Sequence, residues 1–103
     1  MSRVVFADNA KSDLKEIVSY TKNKWGKTQA ISYISALKKQ TEILANMPTM
    51  GKLYDPYKTS GVHVFPFEKH LIYYIQNPKG ITVIHVHHKA MEQSINVSPQ
   101  GRT

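Results

Sequence analysis

The chain has no cysteine, so no disulfide can hold it and its fold rests on the core alone. Arginine is nearly missing as well: of 14 basic residues only Arg3 and Arg102 are Arg. Proteins that read phosphates and guanine edges favour Arg for its bidentate fork, whereas Lys scattered over many segments marks a solvated, adhesive surface. Sequence-specific DNA reading by this chain alone is therefore not expected. No apolar run approaches membrane-spanning length, and the stretch Val4-Val5-Phe6-Ala7 is too short for a signal peptide. A phosphate-cradling Gly loop, a nucleophile elbow and a carboxylate pair are also lacking, which leaves most enzyme classes without support. There are no internal repeats or low-complexity tracts.

What is present predicts one soluble domain over residues 1–97, with 98–103 as a frayed tail. A chain of 103 residues buries only about two-thirds of its unfolded surface, so nearly every element must share the core. One Trp, six Tyr and three Phe argue for a folded rather than a disordered chain. The net charge of +7 favours acidic surfaces: nucleic acid, ribosomal RNA or an acidic protein partner.

Arg3 to Phe6 reads as a short edge strand, and Asp8 or Asn9 can cap the helix that follows. Ala10, Leu14, Ile17, Val18, Thr21 and Trp25 form a helical stripe that Gly26 ends. With Thr28 as its cap, a second stripe runs Ala30, Tyr33, Ile34, Leu37, Thr41 and Leu44 and stops before Pro48. The short link at Gly26 makes these helices an antiparallel hairpin. Thr49 to Gly61 has no period and reads as a loop with one helical turn. Three strands are expected next: Val62 to Phe65, ending at Pro66; Lys69 to Gln76, apolar on both faces; and Ile81 to His88, after the turn Asn77-Pro78-Lys79-Gly80. The order gives an α+β fold: an N-terminal strand, an antiparallel helical hairpin, then a three-stranded antiparallel meander with the hairpin on one face.

The histidines invite two chemical readings. His85 and His87 share a strand face, the spacing at which two imidazoles can meet one metal. A third ligand is needed, and the late carboxylates are only Glu68 and Glu92, so no metal or other cofactor is expected. His88 and Lys89 beside His70 could act as base and cation in RNA cleavage at a 2′-hydroxyl. A contact surface explains the same groups more simply, and no catalytic residue is assigned. Trp25, Tyr33, Tyr73 and Tyr74 could stack on bases, but their positions make them core or interface residues first. Trp25, at a helix end, is expected to close the core or to take a partner's side chain.

Five segments together resemble a known family. They are Ala10-x-x-Asp13-Leu14-x-x-Ile17-x-x-Tyr20; Trp25-Gly26-x-x-Gln29-Ala30-x-x-Tyr33-x-x-x-Leu37; Leu44-Ala45-x-x-Pro48-x-x-Gly51; Gly61-x-x-x-Phe65-Pro66-x-x-x-His70-Leu71-Ile72-Tyr73-Tyr74; and Ile84-x-Val86-x-His88-Lys89-x-Met91-Glu92. In this order they resemble the ParE branch of the RelE/ParE toxin superfamily, over about residues 3 to 95. The chain departs from that pattern at His63-Val64 and at Ala90, where relatives often carry basic residues.

The resemblance implies the toxin of a type II toxin–antitoxin pair, acting in the cytoplasm without a cofactor. Its implied target is DNA gyrase, through the A subunit, and its implied partner is a cognate antitoxin that folds onto it. On that basis Trp25, Tyr33 and Tyr73 are expected to meet the antitoxin, and His88, Lys89, Met91 and Glu92 the target. The RelE branch instead cuts mRNA on the ribosome, typically with Lys, Arg and Tyr or His. The long helical hairpin, and the lack of Arg or Tyr after Tyr74 apart from Arg102, resemble ParE more closely. A homologue that binds its antitoxin without being toxic is the remaining alternative.

Overall fold

Two amphipathic helices cannot leave their apolar stripes in water, and a sheet with one apolar face offers the cover they need. The computed structural model describes residues 2–54 and 61–90 and shows that arrangement. Strand β1 (Arg3–Phe6) leads into helices α1 (Asp8–Trp25) and α2 (Lys27–Asn46). A single 3-10 turn, Pro48–Met50, precedes strands β2 (Lys52–Leu53), β3 (His63–Phe67), β4 (His70–Asn77) and β5 (Gly80–His88). The core joins Ala10, Leu14 and Ile17 of α1 and Leu37, Leu44 and Ala45 of α2 to Ile72, Tyr74, Ile81, Val83 and Val86 of the sheet.

Gly26 makes the hairpin possible. Its φ of 99° lies where a side chain is strained, and its N–H closes α1 on the Lys22 carbonyl. Neither expected side-chain cap forms. Asp8 is the first residue of α1, not its cap, so its charge meets the positive end of the helix dipole instead. Thr28 lies inside α2, which begins at Lys27 with Gly26 at the cap position.

Among the described residues the sheet has five strands in the order β1-β5-β4-β3-β2. The expected meander is there as β3, β4 and β5, paired antiparallel. Two features extend it. β1 lies parallel to β5, with Arg3 opposite Gly80 and Phe6 opposite Val83. Part of the expected loop forms the short β2, which pairs with His63 and Val64. Beyond those residues β3 is an edge, so Pro66 sits inside the strand instead of ending it. The turn at Asn77 is held locally, the Asn77 side chain taking the Lys79 N–H at 2.8 Å and giving a hydrogen bond to Thr82 Oγ1 at 2.9 Å.

A bulge in β5 changes which side chains face the helices. Tyr73 pairs with His85 but Tyr74 with Val83, leaving Ile84 as the extra residue. Strict alternation would put Ile81, Val83, His85 and His87 on one face. The inserted residue instead keeps Ile81, Val83 and Val86 in the core and turns His85 and His87 away from it.

Candidate functional site

The C-terminal half of α1, the first turns of α2, the β3–β4 turn and the end of β5 enclose a groove of about 640 Å³. Tyr20 and Trp25 stand on its α1 wall, Tyr33 on its α2 wall, and Phe67, His70 and His88 on the sheet side. Trp25 is 61% and Tyr20 59% exposed, although burying such rings is favourable by several kcal/mol at about 25 cal/mol per Å². Trp25 therefore does not close the core. Lys24, near both rings at 5.8 and 5.7 Å from their centroids, adds positive charge to the rim.

The floor is ordered by one hydrogen bond. Tyr33 Oη and His70 Nδ1 share a hydrogen bond of 2.7 Å. Burial holds the His70 imidazole down to a pKa of about 4, with the neighbouring His88 pushing the same way. His70 is thus neutral at physiological pH and free to accept. Burial raises the Tyr33 phenol, and a backbone hydrogen bond from Lys69 partly offsets it. The His70 and His88 rings meet edge to face at 5.3 Å. Lys89, exposed, follows at once, its N–H bonded to the Lys69 carbonyl at 2.9 Å.

The structure thus brings Trp25, Tyr33, His70 and His88 to one groove, with Lys89 beside it. Tyr73 is elsewhere. It faces away from the helices, is 5% exposed and packs edge-on against Tyr54 at 5.1 Å. Met91 and Glu92 lie outside the described residues. Tyr20 and Phe67, not singled out from the sequence, line the groove. Tyr20 was legible, since it falls three residues after Ile17 and off the buried stripe.

The fold adds a third carboxylate beside the histidines. Asp13, on α1, reaches the edge of β5 where β1 has ended, and its Oδ2 accepts the Val86 N–H at 2.9 Å. The same oxygen lies 3.1 Å from His85 Nδ1. The expectation that only Glu68 and Glu92 could serve the histidines considered neighbours in sequence alone; the fold supplies Asp13 from across the chain.

A hairpin of helices laid on a five-stranded mixed sheet, with an open aromatic groove at one end, defines a small α+β domain built around a surface cleft. The model of the ParE toxin family of type II toxin–antitoxin systems matches residues 4–93, and the chain belongs to that family. Toxin ParE1 of Caulobacter vibrioides is 30% identical over 82 residues, covering 80% of this chain and 83% of that protein. A chain of the chromosomal ParDE TA system from P. aeruginosa has the same fold, with a TM-score of 0.71 at 17% identity. That superposition covers 85% of this chain and 96% of the other. No helix among the described residues is long and apolar enough to cross a membrane.

Proposed function

We propose that this toxin inhibits DNA gyrase by binding it, without catalysis of its own, and that a cognate antitoxin neutralises it by filling the aromatic groove. Membership of the ParE family over residues 4–93 carries the reading, since such toxins are typically gyrase poisons. The groove supports the antitoxin half. Exposed Tyr20 and Trp25, beside half-buried Tyr33, suit the apolar face of a segment that folds on binding. A net charge of +7 suits an acidic partner.

His88 and Lys89, proposed for the target together with Met91 and Glu92, border the same groove as Trp25 and Tyr33. An antitoxin seated there covers the target surface, so neutralisation follows from occlusion. Tyr73, buried on the far face, does not line that groove and is not part of the proposed antitoxin contact. Purified protein added to gyrase at micromolar concentration is expected to stop supercoiling and accumulate cleaved DNA; unchanged supercoiling overturns the target. Replacing Lys89 and Met91 with Glu is expected to abolish toxicity and spare antitoxin binding, and surviving toxicity removes these residues from the target surface.

One observation favours a second reading, ribosome-dependent mRNA cleavage: His70, His88 and Tyr33 converge in one groove with Lys89 adjacent. Mapping mRNA ends after induction separates the two, because intact transcripts dismiss cleavage. Harmless expression without the antitoxin would instead identify a homologue that binds without poisoning.

A further inference from the structure

We propose that Asp13, His85 and His87 form a binding site for a Zn²⁺-like transition-metal ion that ties α1 to the edge of β5. One ligand atom from each residue lies within 4.8 Å of the others, with Asp13 and His85 already at 3.1 Å. Donors around a tetrahedral ion with bonds of about 2.0–2.2 Å stand roughly 3.3–3.6 Å apart. The widest pair must therefore draw in by up to about 1 Å to coordinate an ion. The His85 and His87 rings are neighbours, with centroids 4.7 Å apart.

A second observation is independent of this spacing. His87 Nδ1 is buried and has no hydrogen-bond partner among the described residues. Such an orphaned polar atom is costly and rare unless something binds it. A metal ion satisfies it. The Val86 N–H on Asp13 Oδ2 fixes the carboxylate, the kind of outer support that orients metal ligands. A cleft of about 350 Å³, lined by Asp13, Glu16, Tyr20 and His87, leaves room for water or an outside donor to complete the coordination. With His85 38% and Asp13 20% exposed, an ion has a path in.

The donor set also selects the ion. Two imidazoles and one carboxylate suit Zn²⁺, Co²⁺, Ni²⁺ or Cu²⁺, whereas Ca²⁺ and Mg²⁺ require mostly oxygen. In a chain of net charge +7 a cation needs local negative charge, and Asp13 with Glu16 one turn later on α1 provides it. The site is separate from the groove's Trp25 and Tyr33 and does not depend on what the toxin poisons.

Calorimetric titration of Zn²⁺ into the tag-free full-length chain is expected to show one saturable site, and Co²⁺ should give the visible absorption of low coordination number. His85→Ala and His87→Ala are each expected to weaken binding at least about tenfold. Asp13→Asn, which keeps an acceptor for the Val86 N–H, should do the same, while remote His63→Gln leaves affinity unchanged. Circular dichroism checks that each variant folds. Should one fail, NMR of the unmodified chain decides, since Zn²⁺ must shift the His85 and His87 ring signals before those of His63 and His70. Absence of saturable binding, full affinity in both His variants, or ring shifts confined to other histidines overturns the proposal.

Discussion

Tyr74 shows how one hydroxyl joins distant segments. Fully buried, it accepts the Gly51 N–H at 2.9 Å and donates to the Pro48 carbonyl at 2.8 Å, anchoring the 3-10 turn to the sheet. Tyr74→Phe leaves both backbone groups unpaired and should cost about 1–3 kcal/mol in urea denaturation. Gly51 has no room for more: a Cβ there would lie 2.6 Å from Tyr74 Oη and 2.8 Å from the Val64 carbonyl. At His70 the sign of the pH effect follows from its depressed pKa. The unfolded chain takes up a proton near 6.5, but the folded imidazole resists until about 4. Stability contributed by neutral His70 is therefore complete above pH 6.5 and lost as pH falls toward 4. NMR titration should show the His70 ring still neutral at pH 5.5, a value about midway between those limits; Tyr33→Phe should cost about 1 kcal/mol at neutral pH by removing its partner.

Among the elements, β5 carries most of the architecture. It pairs with β1 on one side and β4 on the other, and its bulge decides which side chains enter the core. The β1 contact depends on Gly80, where a Cβ would run into the Arg3 backbone. Gly80→Ala should loosen β1, seen as faster amide exchange at Arg3 and Val5 relative to β4. Helix α2 contributes Leu37, fully buried, and Leu37→Ala should destabilise the fold by about 2–5 kcal/mol in the same urea assay. The N-terminal half of α1 acts as the missing strand beside the far end of β5, with Asp13 accepting the Val86 amide that β1 is too short to reach.

For the whole molecule, the proposed seating of the antitoxin in the groove assigns encounter to charge and retention to the aromatic side chains. If the antitoxin is acidic, as proposed, a chain of net charge +7 should capture it by long-range steering. Raising salt from about 0.1 to about 1 M shortens the Debye length from about 10 to about 3 Å. The association rate with the antitoxin, measured by stopped flow, should fall steeply over that range while dissociation changes little. Trp25→Ala should do the reverse, raising the dissociation rate by at least about tenfold, because an exposed aromatic in a groove is the usual kind of anchor. An unchanged dissociation rate would place the antitoxin elsewhere.

The helical stripes from Ala10 to Thr21 and from Ala30 to Leu44, the break at Gly26 and the turn at Asn77 were determined by the sequence itself. Their causes are local: spacing of apolar residues, a backbone angle suited to glycine, and a side chain that folds back on its own turn. The antiparallel meander follows from those short links, and the family from the ordered segments they connect. Tertiary structure alone decided the parallel pairing of β1, the small strand β2, the bulge at Ile84 and the turning of Tyr73 away from the groove. It also brought Asp13 to His85 and His87, across more than 70 residues of chain. Each of these depends on the approach of segments far apart in sequence, which periodicity cannot encode because it records only a side chain's relation to its own helix or strand.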